Sequence, residues 1–267
     1  MPAAPDPLAL RDLAVRAAQE AGAYLLEHLP GERSVTTKSS DTDVVTEVDR
    51  ASEALLLARL LGERPEDGIL GEEGTSRAGT SGVRWVVDPL DGTVNYLYRI
   101  PAFAVSVAAE VDGVSVAGCV FDPSRGETFA AALGHGATRN GVPIAPSAVT
   151  DPRQALVGTG FGYETALRER QGAIVARVLP RVRDIRRGGS AALDLCWVAC
   201  GRLDAYFERG VQAWDVAAGG LIVREAGGDA GPLGTATGAA SGTWVAAGRG
   251  LIEAFSTLVI DASGEVT

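Results

Sequence analysis

Residues 85–96 read WVVDPLDGTVNY, an apolar run followed by Asp88 and Asp91 around a proline and then by glycine, threonine and asparagine. The apolar run predicts a buried strand. A carboxylate at the end of such a strand carries a large desolvation penalty unless it is paired or bound to a metal, and no lysine or arginine is adjacent here. The stretch therefore predicts a place where anionic oxygens meet a cation.

The composition of the 267-residue chain is that of a globular protein, with 46% hydrophobic residues, 22% charged residues and 34 glycines. The formal net charge of −10 argues against nucleic-acid binding, because such proteins normally present a basic patch that releases phosphate counterions. We therefore expect a small-molecule partner. The one basic run, residues 177–187, is interpreted as a solvated face or a subunit contact, with an anion site as the alternative.

Cysteine and histidine usage narrows the compartment and the chemistry. The cysteines lack a second pair of thiols or histidines at zinc-site spacing, so we expect reduced thiols in a cytoplasmic protein. The first residues carry no basic region before an apolar stretch, and no apolar run has the roughly 18 residues of a spanning helix, so no membrane contact is expected. His28 and His135 are expected at capping or surface positions, which disfavours Ser-His-Asp and Cys-His mechanisms.

Hydrophobic periodicity predicts a mixed α/β chain. Apolar residues at helical spacing predict a first helix over 10–29 and a second over about 46–61, for which Asp43 and Thr46 offer N-cap oxygens. Further strands are predicted at 68–70, 83–87, 103–111, 114–122, 127–133, 155–161, 183–187, 203–208 and 243–247, and further helices at about 163–180, 190–200 and 214–225. Residues 231–242 are predicted to form a surface loop. Strands mixed with helices in both halves indicate stacked layers of sheet and helix.

Carboxylates gather at the predicted ends of these elements: Asp43, Asp49, Glu72, Glu73, Asp88, Asp91 and Asp215. Turn chemistry or loop solvation explains each of them singly. Together they indicate a metal site, because several carboxylates in one place require a cation. Oxygen-only ligands select hard divalent ions such as Mg²⁺ or Mn²⁺.

Glycines beside these carboxylates predict contacts with a phosphate. Gly92 and Thr93 follow Asp91 directly, and a helix that opens at this turn would direct unpaired backbone amides at an anion. Residues 188–191 (GGSA) open a later helix in the same way, and an ordinary N-cap by Ser190 is the equal alternative. The pattern predicts a phosphate held beside metal ions.

These blocks together resemble the inositol monophosphatase family of magnesium-dependent phosphatases. The matching segments are, in order, DVVTEVD (43–49), GEE (71–73), WVVDPLDGTVNY (85–96), GGSAALDLC (188–196) and WDVAAGGLIVREAGG (214–228). The resemblance implies an α/β fold built as a layered αβαβα sandwich, and a homodimer. It also implies about two to three Mg²⁺ ions as cofactor, with Mn²⁺ as a substitute.

The resemblance implies roles for individual residues as well. The metal ligands would be the side chains of Glu72, Asp88, Asp91 and Asp215 and the backbone carbonyl of Leu90. The substrate would contact Gly92, Thr93, Gly189, Ser190, Ala191, Glu208 and Asp215. Glu72 and Thr93 would orient the attacking water with support from Asp49, and Lys38 and Glu73 are further candidates.

The implied reaction is hydrolysis of a small polyol phosphate by in-line attack of metal-activated water. Inositol monophosphate is the first expectation, because Glu208 suits a polyol hydroxyl and the stretch at 91–106 is most similar to inositol-type members. Fructose 1,6-bisphosphate, histidinol phosphate and 3′-phosphoadenosine 5′-phosphate are the alternatives. Arg168 and Arg170 would favour a bisphosphate if they reached a second phosphate, but exposed helix arginines are the preferred interpretation.

Two further expectations concern the class and organisation of the protein. A non-catalytic regulator that binds metal or phosphate is the alternative from a different functional class. We expect a single domain over residues 1–267, with a metal-binding half at about 1–148 and a substrate-pocket half at about 149–267.

Overall fold

The computed structural model describes residues 5–29, 47–234 and 242–264. The predicted N-cap residues Asp43 and Thr46 and the candidate site residue Lys38 lie outside these ranges.

The described residues form seven α-helices and thirteen strands joined by loops and turns. The helices are α1 (Pro7–Glu27), α2 (Glu47–Glu63), α3 (Thr93–Leu97), α4 (Thr165–Val178), α5 (Ala191–Ala199), α6 (Ala213–Glu225) and α7 (Ile252–Gly264). The strands are β1 (Gly68–Gly71), β2 (Ser76–Arg77), β3 (Val83–Asp91), β4 (Ala104–Val111), β5 (Val114–Asp122), β6 (Glu127–Ala132), β7 (Ala137–Arg139), β8 (Val142–Pro143), β9 (Leu156–Thr159), β10 (Asp184–Arg186), β11 (Ala205–Arg209), β12 (Gly228–Pro232) and β13 (Thr243–Gly248).

The larger sheet has the strand order β2-β1-β3-β4-β5-β6-β7-β8. Its strands pair antiparallel except β1 and β3, which are parallel. One face is covered by α1, which packs on β4 and β5, and by α2, which packs on β3. The small residues of α1 allow a close approach: a side chain at Gly22 would overlap the ring of Phe121 in β5. Burial of each large apolar side chain in this layer contributes about 1.5–3 kcal/mol.

The smaller sheet has the order β10-β9-β11-β13-β12. Helices α5 and α6 lie between the two sheets, because one buried core joins Val86 and Val120 of the larger sheet, Leu195 and Ala218 of the helices, and Tyr206 of the smaller sheet. The outer face of the smaller sheet is covered by α4 and α7, whose buried residues form a separate core with β11 and β13. The layers therefore run α-β-α-β-α, which confirms the predicted sandwich.

Several predicted boundaries were wrong or incomplete. Strand β3 continues through Asp88 to Asp91 instead of ending at residue 87, because its pairing with β4 resumes after a register shift between the two aspartates. Residues 231 and 232 belong to β12, not to a surface loop, since they pair with β13; residues 235–241 of that loop lie outside the described ranges. Helix α7 was not predicted, nor were β2, β7, β8 and β12.

None of the helices within the described ranges is both long and apolar enough to cross a bilayer.

Candidate active site

A cavity of about 900 Å³ opens where the two sheets and the two central helices meet. Among the residues that line it are Glu72, Asp88, Leu90, Asp91, Gly92, Thr93, Gly189, Ser190, Ala191, Glu208 and Asp215. These residues come from the turn after β1, the end of β3, the start of α3, the start of α5, β11 and the first turn of α6. The structure thus brings together every predicted metal- and substrate-contacting residue that it describes.

Two further predicted residues that the structure describes, Asp49 and Glu73, are not among the residues that line the cavity. Asp49 of α2 is 2% exposed. The charged groups that act on its carboxylate are Glu72, Glu73, Glu53 and Arg50. The carboxylate of Glu73 lies 3.3 Å from Arg50 Nε, so Glu73 forms an ion pair at the margin of the site. Asp49 is therefore part of the same acidic cluster, one layer deeper than the cavity wall.

The end of β3 presents two carboxylates through its own backbone. Asp88 pairs with Ser106 and Asp91 with Ala104 across β4, and the shift between these pairs accommodates the Pro89 turn. The Leu90 amide donates a hydrogen bond to Asp88 Oδ1 at 2.9 Å, which fixes that side chain within the turn. The paired strand β3 thus holds both aspartates in place where they line the cavity.

Gly92 makes the tight connection from β3 into α3. Its φ of 92° lies in the left-handed region, and a Cβ there would be 2.9 Å from the Ala102 carbonyl oxygen, so only glycine fits without strain. The Thr93 hydroxyl donates a hydrogen bond to the Leu90 carbonyl at 3.0 Å. A carbonyl oxygen has two lone pairs, so this bond leaves Leu90 with capacity for a second partner.

Asp91 links the two halves of the site. Its Oδ2 accepts hydrogen bonds from Ser190 Oγ at 2.6 Å and from the Ala192 amide at 2.7 Å. Ser190 also accepts from the Leu193 amide at 3.2 Å as the N-cap of α5. The N-cap interpretation of Ser190 is therefore correct, and the same hydroxyl lies in the cavity wall.

Asp215 likewise caps a helix and lines the cavity. It is the third residue of α6, and its Oδ2 accepts a hydrogen bond from the Gln212 amide at 2.6 Å as part of a capping box. The preceding Trp214 carbonyl accepts a hydrogen bond from Ser106 Oγ of β4 at 3.2 Å. The start of α6 is thereby fixed against the larger sheet, next to the strand that carries Asp88 and Asp91.

Burial and mutual repulsion raise the pKa values of these carboxyl groups. Burial is the main cause for Asp88, with further contributions from Glu72, Asp91 and Asp215, and it holds the pKa of Asp88 well above 3.8. The same causes raise the pKa of Glu72 to about 7 and that of Asp215 to about 8. Burial, then the charges of neighbouring glutamates, raise the pKa of Asp49 to about 8. The fully ionised set is costly without a compensating positive charge.

The donor chemistry of this wall fits a hard divalent cation. Its groups are carboxylate oxygens and one backbone carbonyl, which Mg²⁺ and Mn²⁺ prefer over nitrogen or sulfur ligands. Besides burial, the charges of Glu72, Asp91 and Asp215 all raise the pKa of Asp88, so these carboxylates lie near one another. Across the described ranges, no three carboxylate, imidazole or thiol groups already form a closed ligand cluster. The site therefore fits a divalent ion in the type of its ligand atoms and in their location around one cavity.

Glu208 lines the same cavity from β11. Its Oε2 accepts a hydrogen bond from the buried Tyr206 hydroxyl at 2.8 Å. Burial raises the pKa of Glu208 to about 7, while the Tyr206 hydrogen bond opposes the shift. Gly160 leaves room for this carboxyl, because a Cβ at that position would overlap it. A hydrogen-bonding carboxyl group is thus held in the cavity, where the charge of Asp91 also raises its pKa.

Two features of the site were missed from the sequence. Asn95 bridges the two halves, since its Nδ2 donates to the carbonyls of Ala102 at 2.6 Å and Gly188 at 2.8 Å. Arg187 belongs to the basic run that was interpreted as a solvated face or a subunit contact, with an anion site as the alternative; it lines the cavity with its guanidinium 5.9 Å from the Phe161 ring centre. No local signal distinguishes either residue from its neighbours in the sequence.

The sequence profile of the inositol monophosphatase family matches residues 6–265. The chain belongs to this family. The resemblance inferred from the sequence blocks is therefore confirmed, as is the prediction of an enzyme of the phosphoric monoester hydrolase class, to which the family belongs.

Individual relatives support the same conclusion. The chain is 50% identical over 241 residues to the inositol-1-monophosphatase of Mycobacterium leprae, a match that covers 83% of each chain. It is 42% identical over 220 residues to the Nus factor SuhB of Pasteurella multocida, covering 81% of this chain and 82% of that one. The solved structure of Mycobacterium tuberculosis SuhB superposes with a TM-score of 0.83 at 43% identity, covering 98% of this chain and 99% of that one.

Proposed function

We propose that the protein is a Mg²⁺-dependent phosphomonoesterase that hydrolyses a small polyol phosphate, with inositol monophosphate as the preferred substrate. The observation that carries this proposal is the convergence of carboxylates from separate segments, Glu72, Asp88, Asp91 and Asp215, on one cavity that Glu208 also lines. Membership of the inositol monophosphatase family supports the substrate class.

Glu72, Asp88, Asp91, Asp215 and the carbonyl of Leu90 would hold the divalent ions, about two to three of them, with Mn²⁺ as a substitute for Mg²⁺. When bound, such ions lower the pKa of water and neutralise charge on a transferring phosphoryl group. Asp91 and Asp215 each use one oxygen as a helix cap, which leaves the other oxygen of each for a ligand role. The capping bonds hold these carboxylates at fixed positions without recruiting the second oxygen.

The turn after β3 would bind the phosphate. Gly92 has no Cβ, which at this position would crowd the Ala102 carbonyl oxygen. The amides of Gly92 and Thr93 would donate hydrogen bonds to phosphate oxygens. Glu72 and Thr93 would orient the attacking water in line with the phosphorus–oxygen bond, with Asp49 supporting Thr93 from below. Phosphoryl transfer depends mainly on such positioning and on charge stabilisation.

The start of α5 and β11 would bind the alcohol part of the substrate. Gly189, Ser190 and Ala191 line the cavity, as does Glu208. A carboxylate accepts hydrogen bonds from hydroxyl groups, so Glu208 suits a polyol. Because its Oε2 is already engaged by Tyr206, the second oxygen would contact the substrate.

A substrate with a second anionic group is the second candidate, and one observation favours it. Arg168 of α4, Arg187 of the loop after β10 and Arg209 of β11 line the cavity. Arg170, the other arginine considered from the sequence, is not among the lining residues. Cationic groups at the rim attract a second phosphate, as in fructose 1,6-bisphosphate or 3′-phosphoadenosine 5′-phosphate, and disfavour the ammonium of histidinol phosphate.

The organisation of the chain follows from the same arrangement. We expect residues 1–267 to act as a single domain, because the central helices pack on both sheets and both halves, 1–148 and 149–267, contribute carboxylates to the cavity. A cytoplasmic homodimer remains our expectation. Neither nucleic acid nor a membrane surface is expected as a partner, given the net charge of −10.

The test is phosphate release from a panel of inositol, fructose, histidinol and nucleotide phosphates, with Mg²⁺ titrated and then chelated. We expect hydrolysis of inositol monophosphate that is abolished by chelation. Full activity after complete chelation would contradict the metal-dependent reaction. A metal-loaded protein that hydrolyses no phosphomonoester would favour the non-catalytic binding role.

Asp91→Asn tests the site directly. The asparagine side-chain oxygen can still accept hydrogen bonds from Ser190 and the Ala192 amide, so the fold should be retained. The substitution removes one negative charge from the proposed metal ligands. We expect turnover to fall by at least about a hundredfold. Near-normal activity in a folded Asp91→Asn protein would place the site elsewhere.

A further inference from the structure

Helix α2 carries an unusual set of buried polar residues in its first turns. Ser52 is fully buried and Glu53 is 3% exposed, although both belong to the side of the helix that continues with the buried Leu56 and Leu60. Residues three and four apart share one helix face, so this face changes from polar to apolar along its length. A buried carboxylate is expensive unless its oxygens find donors, and both oxygens of Glu53 do so.

Glu53 binds the turn after β1, which carries Glu72. Its Oε2 accepts a hydrogen bond from the Glu73 amide at 3.0 Å, and its Oε1 accepts one from Thr75 Oγ1 at 2.5 Å. The turn closes on itself through the Gly71 amide and the Thr75 carbonyl at 2.8 Å. A Cβ at Gly71 would lie 2.6 Å from Glu53 Oε2, so glycine permits this close approach of the turn to α2.

Ser52 binds the other ligand-bearing turn. Its hydroxyl donates a hydrogen bond to the Pro89 carbonyl at 3.0 Å, within the segment that runs from Asp88 to Asp91. Adjacent residues of one helix therefore hold the two turns that present carboxylates to the cavity. The turn after β1 also contacts β3 directly, since the Glu72 amide donates to the Val87 carbonyl at 3.3 Å.

We propose that Ser52 and Glu53 are positioning residues that set the separation between Glu72 and the Asp88–Asp91 turn, and thereby the affinity of the site for its divalent ions. This inference rests on the proposed role of those carboxylates as metal ligands. Neither Ser52 nor Glu53 lines the cavity, so both act through the backbone of the turns they hold. Partners that orient metal ligands typically change metal affinity or activity by about 10–100-fold when removed.

The experiment measures Mn²⁺ affinity of the full-length protein from the electron paramagnetic resonance signal of free Mn²⁺, which needs no turnover. Glu53→Ala should weaken Mn²⁺ binding by about 10–100-fold. Glu53→Gln should stay within about threefold of the original protein, because its amide oxygen accepts from the Glu73 amide while its NH₂ group donates to a rotated Thr75 hydroxyl.

A double-mutant cycle identifies the contact. Thr75→Val removes the hydroxyl partner and should weaken binding by less than Glu53→Ala does. If the turn is held through this hydrogen bond, the double variant should bind Mn²⁺ no more weakly than Glu53→Ala alone, because the two changes remove the same interaction. Hydrogen exchange at the amides of residues 71–75 should quicken in the same order.

Leu56→Ala is the matched control for stability. Leu56 lies one turn further along the same face and is fully buried, so its truncation should lower the melting temperature without changing Mn²⁺ affinity. Equal loss of Mn²⁺ affinity in Leu56→Ala and Glu53→Ala, or wild-type affinity in Glu53→Ala, would overturn the inference.

The outcomes also separate this inference from the proposed reaction. A protein that binds Mn²⁺ but hydrolyses no phosphomonoester would refute the reaction alone, because the Glu53 comparison rests on affinity. A protein that binds no divalent ion would refute both the metal site and the positioning role.

Discussion

Asp215→Asn should stabilise the metal-free protein at neutral and mildly alkaline pH and destabilise the metal-loaded one. Burial, and then the charge of Asp91, raise the pKa of Asp215 to about 8 from 3.8. The folded protein therefore binds this proton more tightly than the unfolded chain does. The stability that the proton contributes is full below pH 3.8 and is lost as pH rises toward about 8. Asparagine does not titrate, and its side-chain oxygen can still accept the hydrogen bond from the Gln212 amide.

The size of the effect follows from the pKa difference. A shift from 3.8 to about 8 corresponds to about 6 kcal/mol across the whole pH window, at about 1.4 kcal/mol per pKa unit. Glu72, Asp91 and Asp215 repel one another, so protonation of one relieves the other two and the individual effects do not add. We therefore expect a gain of roughly half or less, about 2–3 kcal/mol at pH 8, or a rise of about 5 °C in melting temperature.

The assay is thermal unfolding of both proteins with a chelator and with saturating Mg²⁺, from pH 5 to pH 8. With chelator, the advantage of Asp215→Asn should grow as pH rises. With Mg²⁺ the order should reverse, because the original protein gains more binding free energy from the ion. Asp112→Asn, in the exposed turn between β4 and β5, is the control for replacing a surface carboxylate. If the gain in melting temperature of Asp215→Asn shrank with rising pH, or persisted unchanged in Mg²⁺, the explanation based on the raised pKa of Asp215 would be refuted.

Two glycine substitutions test other parts of the site, and a third serves as their control. Gly92→Ala should cost about 1–3 kcal/mol of stability, because the φ of 92° at Gly92 and the nearby Ala102 carbonyl exclude a side chain. It should also lower turnover by about a hundredfold, because the phosphate-binding turn would be misplaced. Unchanged kinetics would argue against a role of this turn in phosphate binding. Gly160→Ala should displace Glu208 and raise KM by about tenfold with kcat nearly unchanged; a fall in kcat alone would contradict an alcohol-binding Glu208. Gly172→Ala, in α4 with nothing within 4 Å of the added carbon, should stabilise the fold by about 0.5–1 kcal/mol without altering kinetics, and serves as the control for both.

The elements with strong periodicity were predictable, and those that depend on neighbours were not. Helix α1 and strands β4 and β5 were predicted within a few residues, because alternation and helical spacing are local properties. Strand β12 contains glycine and proline, and it forms through its pairing with β13. The extension of β3 through Asp91 depends on its resumed pairing with β4, which the sequence of β3 does not contain.

The identity of the carboxylates was also local, since acidic residues beside Asp-Pro and Gly-Thr turns stand out against apolar strands. Their arrangement was not. The roles of Ser52, Asn95 and Arg187 depend on contacts with segments 37 and 93 residues away for the first two, and on the cavity wall for the third. Nothing in the residues around them indicates these contacts.

The sequence by itself therefore determined the family, the αβαβα class and the oxygen-rich chemistry of the site, because these follow from the types and order of residues along short blocks. Only the tertiary structure decided which oxygens remain available, since Asp91 and Asp215 each commit one oxygen to a helix cap. It also decided that α2 holds the two carboxylate-bearing turns together. The physical reason is that hydrogen bonds and burial depend on distance in space, and the fold brings residues as far apart in sequence as Glu72 and Asp215 into the same cavity.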